Sequence, residues 1–248
     1  MSTLRTRFKD GIVAEFCVPK RQSHKVLIIC SGLPTQPGRR DVLEFWSKKG
    51  YIVIQPRYRG TWESSGSFLE NSPDQDIRDC IDELMEKKQL QNLWDKKIYQ
   101  IEPREIFLLG ISFGGAAALL LSTDPRVKKV VAISPVVDWT VASRAEPLSE
   151  FSEQVQSAFG MAYRGVPRHW KKLGQKDFYN PMAEWRSMDG TKIRIFHTED
   201  DAVVLSKSVK QFAKKTGSDL RLFKRGGHLS MSILMKPRIY RSIQTFFF

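Results

Sequence analysis

Cysteine is scarce in this sequence. Only three cysteines occur among 248 residues, and an odd number without paired spacing argues against a disulfide scaffold or a zinc site. We expect Cys17, Cys30 and Cys80 to pack in the interior of a protein from a reducing compartment.

Long apolar runs are also missing. The most apolar stretch, 106–122, is shorter than the roughly 20 residues that a bilayer requires, and glycines at 110, 114 and 115 interrupt it. The first ten residues are polar and mixed in charge, without the apolar centre of a secretory signal. The sequence therefore predicts a cytoplasmic protein without a membrane span.

Acidic residues are too few to balance the basic ones. The chain has 40 Lys and Arg against 27 Asp and Glu, a formal net charge of +13. A basic protein can bind nucleic acid or another anionic surface through phosphate contacts. Here the basic residues are scattered along the whole chain, so the sequence favours a solvated basic surface over an anionic macromolecular partner.

Strand-like and helix-like segments alternate along most of the chain, whose length suits a single large domain. Predicted strands lie at 25–30, 51–55, 106–109, 127–133, 192–196 and 220–223, and predicted helices at 41–49, 74–93, 115–121, 205–216 and after Pro237. Such alternation indicates parallel strands joined by right-handed crossovers, with a ligand site at the carboxyl ends of the strands. Asp10-Gly11, between two alternating runs, predicts an N-terminal antiparallel hairpin.

The alternation stops in segment 138–185, which is too long for an ordinary connection and is rich in aromatic residues. We predict that it is a helical lid insertion within one domain spanning residues 1–248. Its aromatic side chains either close a small core of their own or shape an apolar pocket. We expect some of them to line a pocket, and Trp139 is a candidate for substrate binding.

The string Gly110-Ile111-Ser112-Phe113-Gly114 lies between a predicted strand and a predicted helix. A turn as tight as this needs small neighbours and leaves the serine hydroxyl exposed above the sheet. A serine hydroxyl is a poor nucleophile until a base takes its proton, and an acid must orient that base. Ser112 is therefore a candidate nucleophile only if a carboxylate and a histidine follow at later strand ends.

Both groups follow, in that order. Asp200 and Asp201 come after the strand predicted at 192–196, and His228 comes after the strand predicted at 220–223. We predict that Ser112, an acid from the pair Asp200 and Asp201, and His228 form a catalytic triad. The order of the residues leaves both aspartates open as the acid.

With these landmarks, the sequence resembles the α/β-hydrolase superfamily, and specifically its dienelactone hydrolase and prolyl oligopeptidase branch. Segment 197–204 is similar to the late acidic loop of that branch, His-Gly-x-x-Asp-x-x-Val, with Thr198 in place of glycine. Gly227-His228 is similar to its histidine loop, and segment 57–60 to its Tyr-Arg-Gly loop. The resemblance implies an α/β-hydrolase fold, with a mostly parallel central sheet flanked by helices, and it places the triad acid at Asp201.

The resemblance also implies an oxyanion hole made of two backbone N–H groups. One is the amide of Phe113, and the other, by matching Gly32, is the amide of Leu33. Peptidase-like relatives often have a tyrosine where this chain has Ser31, and 248 residues leave no room for a propeller domain. Both differences favour an esterase over a peptidase.

Residues of the flanking loops are candidates for contact with the substrate. They are Ser31, Arg57 and Tyr58, in addition to Trp139. For Arg57 and Arg59 we favour the interpretation that they stabilise their loop by pairing with carboxylates, and contact with an acidic group of the substrate is the alternative.

We therefore predict a serine hydrolase that cleaves a carboxylic ester or a related acyl bond of a small molecule through an acyl-enzyme intermediate, without a metal or an organic cofactor. A small peptidase or an acyltransferase is the alternative within the same fold. From a different class, the alternative is a catalytically silent hydrolase fold that binds an anionic partner through its basic surface.

Overall fold

A computed structural model describes residues 3–141 and 147–248. The strands are β1 (Leu4–Arg7), β2 (Val13–Cys17), β3 (Lys25–Cys30), β4 (Ile52–Pro56), β5 (Gln89–Gln91), β6 (Ile98–Gln100), β7 (Glu105–Ile111), β8 (Val127–Ile133), β9 (Ile193–Thr198) and β10 (Asp219–Phe223). The helices are α1 (Arg40–Lys48), α2 (Pro73–Lys87), α3 (Phe113–Leu120), α4 (Leu148–Phe159), α5 (Pro167–Trp170), α6 (Ser206–Thr216) and α7 (Pro237–Phe247).

Among these residues, eight strands form one sheet in the order β1-β2-β4-β3-β7-β8-β9-β10. From β4 to β10 all neighbours are parallel, whereas β2 is antiparallel to both β1 and β4. The fold class is thereby confirmed: an α/β-hydrolase fold with a mostly parallel sheet and an N-terminal antiparallel hairpin. The carboxyl ends of the parallel strands lie together at one edge, called here the carboxyl edge.

The sheet separates two apolar cores, and this explains the continuous apolar runs of its central strands. In β3, Val26 and Ile28 point into the core that contains the buried faces of α2, α3 and α6. Leu27 and Ile29 point into the core formed with α1 and α7. Because both faces are covered, every position of such a strand is apolar and the alternation of a half-exposed strand is missing.

The helix predicted at 74–93 is too long. Helix α2 ends at Lys87, because Lys88 adopts the left-handed conformation with φ 49°, and the following residues form β5, paired antiparallel with β6. The physical reason is that polar Lys88 and Gln91 cannot continue the buried stripe of the helix. Leu90 is buried from an extended segment instead.

The predicted insertion, 138–185, contains α4, α5 and short 3-10 turns, while its residues 142–146 lie outside the described part of the chain. Several of its aromatic side chains are buried in the core beside α3, and Phe68 contacts two of them, Tyr163 and Trp170. The segment therefore contributes to the main core. Its role as a lid stays a prediction. Within residues 3–141 and 147–248, no helix combines the length and apolar character needed to cross a membrane.

Candidate active site

Ser112 occupies the sharp turn between β7 and α3. Its backbone has φ 51° and ψ −116°, a conformation that non-glycine residues rarely adopt. Three backbone hydrogen bonds hold it there. The N–H of Ser112 donates to the carbonyl of Ile133 (2.9 Å), and the carbonyl of Ser112 accepts the N–H groups of Gly115 (2.9 Å) and Val136 (3.1 Å). The end of β8 and the segment that follows it therefore help to fix the strained turn that carries the serine.

The glycines around Ser112 are required by close backbone contacts. A Cβ atom on Gly114 would lie 2.2 Å from the carbonyl oxygen of Cys30, at the end of β3, and one on Gly110 would lie 2.5 Å from the carbonyl oxygen of Gly114. No real Cβ contact is that short. The glycine pattern thus allows α3 to begin directly against the loop that follows β3.

Asp201 and His228 meet across two loops at the carboxyl edge. His228 Nδ1 lies 3.1 Å and 2.9 Å from the two carboxylate oxygens of Asp201. The same carboxylate accepts hydrogen bonds from the amides of Val203 and Val204, both at 2.9 Å. With 3% of its surface exposed, Asp201 is held in one orientation toward the imidazole.

The hydrogen bonds of Asp201 and His228 indicate that the carboxylate is ionised and which ring nitrogen carries the proton. Burial by itself would raise the pKa of Asp201, but the hydrogen bonds from His228 and Val204 outweigh burial and hold that pKa below its usual value. Asp201 is therefore an ionised acceptor at neutral pH, and Nδ1 of His228 must carry a proton to donate to it. With the proton on Nδ1, Nε2 is the nitrogen that can accept a proton.

Asp200, the alternative acid, has a different partner. Its carboxylate accepts the amides of Gly226 (3.2 Å) and Gly227 (2.9 Å), and these hydrogen bonds lower its pKa. Asp200 thus holds the backbone of the histidine loop, while Asp201 contacts the imidazole itself.

His197, at the end of β9, lies behind Asp201 and is fully buried. Its Nε2 donates to the carbonyl of Val204 at 3.0 Å and lies 3.8 Å from Asp201. Burial lowers the pKa of His197, so the ring is neutral at neutral pH. It supports the loop that orients Asp201.

Ser112 and His228 are not hydrogen-bonded to each other in the free protein. Across residues 3–141 and 147–248, neither the Ser112 hydroxyl nor Nε2 of His228 makes a hydrogen bond. Catalytic hydrogen bonds are often long before substrate binds and shorten in the reacting complex.

The residues that carry the two predicted oxyanion donors line the same cleft as Ser112. Phe113 is the first residue of α3, where a helix leaves its N–H groups without an internal acceptor. Leu33 follows Gly32, at which a Cβ atom would lie 3.6 Å from Cβ of Ser112. Neither amide donates to another group in the described part of the chain, so both are available to a ligand.

A cleft beside Ser112 encloses about 630 Å³, including the open space at its mouth. Its walls are mainly apolar, formed by residues such as Val136, Trp139, Leu148, Phe151, Val203 and Val204. Asp138 is the single charged residue among the described ones that line it. The structure thus places Trp139 in the wall of a cleft that contains the candidate nucleophile.

The other predicted substrate contacts, Ser31, Arg57 and Tyr58, surround a second, smaller cleft of about 330 Å³. The Ser31 hydroxyl accepts a hydrogen bond from Gln55 (2.9 Å), and the Tyr58 hydroxyl donates to the carbonyl of Ser31 (3.1 Å). None of the three lines the cleft that contains Ser112.

Arg57 and Arg59 both have internal carboxylate partners. Arg57 is buried between Glu15 and Glu63. Arg59 pairs with Asp79 at 2.6 Å, and also with Asp76. This is the arrangement expected if the two arginines stabilise their loop by pairing with carboxylates.

Tyr179, from the insertion, was not singled out by the sequence. Its hydroxyl donates to the carbonyl of Phe113 at 2.7 Å and accepts the N–H of Ala117 at 3.1 Å. These two groups are the i and i+4 partners of a hydrogen bond in the first turn of α3. Tyr179 is 2% exposed and has φ 52°. No spacing in the sequence distinguishes it from the other aromatic residues of the insertion.

We expect Tyr179→Phe to lower kcat for a short aryl ester about tenfold with little change in KM. The phenyl ring keeps the contacts with Phe113 and Trp139, but the first turn of α3 loses the hydroxyl that fixes its position. The effect should be smaller than the roughly 10²–10³-fold loss of a direct oxyanion donor. Steady-state kinetics separate kcat from KM.

Tyr51→Phe is the matched control, because Tyr51 is equally buried and its hydroxyl has one partner, Gln244, on the far side of the sheet. If both variants lost thermal stability alike and kept the wild-type kcat, Tyr179 would have a packing role only.

Comparisons with known proteins agree with this architecture. A sequence profile of the prolyl oligopeptidase family matches residues 39–248, and no protein with a curated description matches the sequence significantly. Among solved structures, the Pyrococcus furiosus esterase Pf2001 is similar with a TM-score of 0.67 and 16% identity, covering 99% of this chain and 89% of that chain.

Two further structures are similar over 99% of this chain. The α/β hydrolase GrgF from Penicillium sp. sh18 has a TM-score of 0.67 and 15% identity, with 97% of its own chain covered. The uncomplexed acylaminoacyl peptidase of Pyrococcus horikoshii has a TM-score of 0.69 and 18% identity, but only 41% of its chain is covered. At such identities the likeness concerns the fold.

Proposed function

This chain belongs to the prolyl oligopeptidase family of serine hydrolases, and we propose that it cleaves a carboxylic ester or a related acyl bond of a small molecule through an acyl-enzyme intermediate. The observation that carries the proposal is the hydrogen-bonded pair of Asp201 and His228 at the edge of the sheet where the strained turn presents Ser112. A nucleophile, a base and an orienting acid are the three groups that acyl transfer to serine requires.

In the proposed mechanism, Ser112 Oγ attacks the acyl carbon while Nε2 of His228 takes its proton. Asp201 keeps the imidazole in the required tautomer and stabilises the imidazolium that forms. The amides of Leu33 and Phe113 stabilise the negative charge on the tetrahedral intermediate, each contributing about 2.7–4 kcal/mol. His228 then returns the proton to the departing alcohol, which leaves the acyl group on Ser112.

Deacylation repeats these steps with water. His228 takes a proton from the water while the water oxygen attacks the acyl carbon. When the second tetrahedral intermediate collapses, the bond to Ser112 Oγ breaks, His228 returns the proton to that oxygen, and a carboxylic acid is released. The apolar cleft beside Ser112 suits the acyl group, because each buried methylene contributes about 0.8 kcal/mol.

One observation supports an ester over a peptide substrate. Ser31 lines the second cleft and not the cleft that contains Ser112, so the proposed oxyanion hole has the two amides without a third, hydroxyl donor. An amide needs more stabilisation of its transition state than an activated ester, and the site supplies the smaller set of donors.

We expect the protein to hydrolyse p-nitrophenyl butyrate at least about 10³-fold faster, as kcat/KM, than butyryl p-nitroanilide, which carries the same acyl group. The scale is that of one missing oxyanion donor, about 10²–10³-fold, added to the lower reactivity of the amide. Initial rates of nitrophenol and nitroaniline release measure both reactions. Comparable values of kcat/KM would favour the peptidase alternative instead.

A further inference from the structure

The last part of the chain has no acidic residue. Residues 220–248 contain no Asp or Glu and six Lys or Arg, all of them exposed: Arg221, Lys224, Arg225, Lys236, Arg238 and Arg241. Arg221 pairs with Asp219. The other five make no ion pair with any residue in the ranges 3–141 and 147–248. They contrast with Arg57 and Arg59, whose charges are neutralised inside the protein.

Lys224 and Arg225 stand out by their place in the fold. They lie on the short loop between the end of β10 and His228. Because β10 is parallel to β9, this loop is at the carboxyl edge, two or three residues before Gly227-His228. The pair therefore lies on the rim of the active site.

The carboxylates near this loop do not cancel the pair. Glu199 pairs with Lys210 at 3.1 Å. Asp200 accepts the amides of Gly226 and Gly227, and Asp201 is buried against the imidazole. At the exposed surface of the histidine loop, the two cations therefore face one carboxylate, that of Asp200.

The chemistry of the reaction determines which half of the substrate meets this charge. His228 must donate its proton to the leaving group, so the leaving group lies against the histidine loop. The acyl group lies in the apolar cleft, whose described lining includes Asp138 but neither Lys224 nor Arg225. The leaving-group side is thus positive, and the acyl side has a carboxylate.

We propose that Lys224 and Arg225 select substrates whose leaving group carries an anionic group, such as a carboxylate or a phosphate. This inference rests on the proposed function. When the acyl bond breaks, His228 gives one proton to the alcohol oxygen, and the anionic group stays ionised beside the two cations throughout. The cations raise kcat/KM by attracting and holding the charged substrate, and added salt screens this attraction.

The test uses two esters with the same acyl group, 4-butyryloxybenzoate and 4-butyryloxybenzamide, which differ in the charge of the leaving group. The quantity compared is the ratio of their kcat/KM values. We expect Lys224→Gln with Arg225→Gln to lower this ratio about tenfold at low ionic strength, at the lower end of known steering effects. At about 0.5 M salt, wild type and variant should converge.

The chain offers a matched control in Lys20-Arg21. This exposed Lys-Arg pair follows β2, whose last residue, Cys17, pairs with Val53 near the start of β4, so it lies at the opposite edge of the sheet. Lys20→Gln with Arg21→Gln removes the same charge and should leave the ratio at its wild-type value. If both double variants lowered this ratio equally, the effect would come from the net charge of the protein, and the proposal would be overturned.

Placing the charge on the acyl group gives a second arm. The p-nitrophenyl monoester of glutarate should gain nothing over p-nitrophenyl pentanoate, since Asp138 lies in the acyl cleft. The inference would be overturned if the charged glutarate ester gained as much in kcat/KM over the pentanoate ester as the benzoate gains over the benzamide. It would also be overturned if the ratio of kcat/KM for benzoate and benzamide were unchanged in the Lys224/Arg225 double variant. If the neutral esters were not hydrolysed at all, the proposed function itself would fail, which is a separate result.

Discussion

Ser112→Ala is expected to abolish hydrolysis of p-nitrophenyl butyrate and to prevent labelling by a fluorophosphonate. The hydroxyl is the proposed nucleophile, and no other group on the turn can form the acyl-enzyme. In serine hydrolases, loss of the nucleophile costs kcat many powers of ten, and what remains comes from the oxyanion hole and binding. We expect a loss of at least about 10⁴-fold here, measured with enough protein to detect the residual rate.

The fold should survive this change, because the Ser112 hydroxyl makes no hydrogen bond in residues 3–141 and 147–248. Thermal unfolding monitored by circular dichroism should show a midpoint close to that of the wild type. Ser122→Ala is the control: Ser122 lies just after α3, and its buried hydroxyl has no hydrogen-bond partner among the residues that the structure describes. That variant should keep both activity and labelling. Labelling of the Ser112→Ala protein at the wild-type rate would rule out Ser112 as the nucleophile.

Most of the sheet was predictable because its central strands are covered on both faces. The run 127–133 was predicted to the residue, since seven consecutive residues of mainly β-branched and aliphatic character, closed by a following Ser-Pro, leave little choice of boundary. The end of α2 was not predictable in this way. It depends on the left-handed Lys88 and on the pairing of β5 with β6, both of which need tertiary contacts.

That Ser112, Asp201 and His228 lie at one edge of the sheet was predictable, but the geometry of the site was not, and the catalytic roles of the three residues stay predictions. The order of serine, acid and histidine follows from strands that end at one edge. A single step along a loop, however, separates Asp200 from Asp201, and only the folded loop shows that the amides of Val203 and Val204 turn Asp201 toward the imidazole. The insertion of the Tyr179 hydroxyl into α3 leaves no pattern in the sequence.

The sequence also does not show which basic residues are neutralised by partners and which are free to bind a ligand. In the sequence, Arg57 and Arg59 resemble Lys224 and Arg225, and all four belong to loops at strand ends. Burial separates them: the first pair is neutralised by Glu15, Glu63 and the acidic face of α2, whereas the second is exposed. Net charge therefore indicates that an anionic ligand is possible, and pairing determines where on the surface it can bind.

Asp201→Asn is expected to lower kcat about 10⁴-fold, with KM nearly unchanged, if Asp201 is the triad acid. The amide of asparagine can still bond to the ring, but its NH₂ group would donate to Nδ1 and select the tautomer that has its proton on Nε2. That tautomer cannot accept the proton of Ser112. A loss of this size accompanies the same exchange in the established Ser-His-Asp triad.

Asp200→Asn is the matched control, one residue away and with the same change of atoms. Asparagine keeps a side-chain oxygen that can accept the amides of Gly226 and Gly227, so the histidine loop should stay in place and kcat should fall less than about tenfold. Steady-state kinetics of both variants with one aryl ester make the comparison. The hydrogen bonds to Asp201 hold its pKa below the usual value. The fall in kcat caused by Asp201→Asn should therefore persist across the whole pH range in which a carboxylate is ionised. If Asp200→Asn caused the larger loss, the acid would be Asp200, and the contact between Asp201 and His228 in the free protein would have to change when substrate binds.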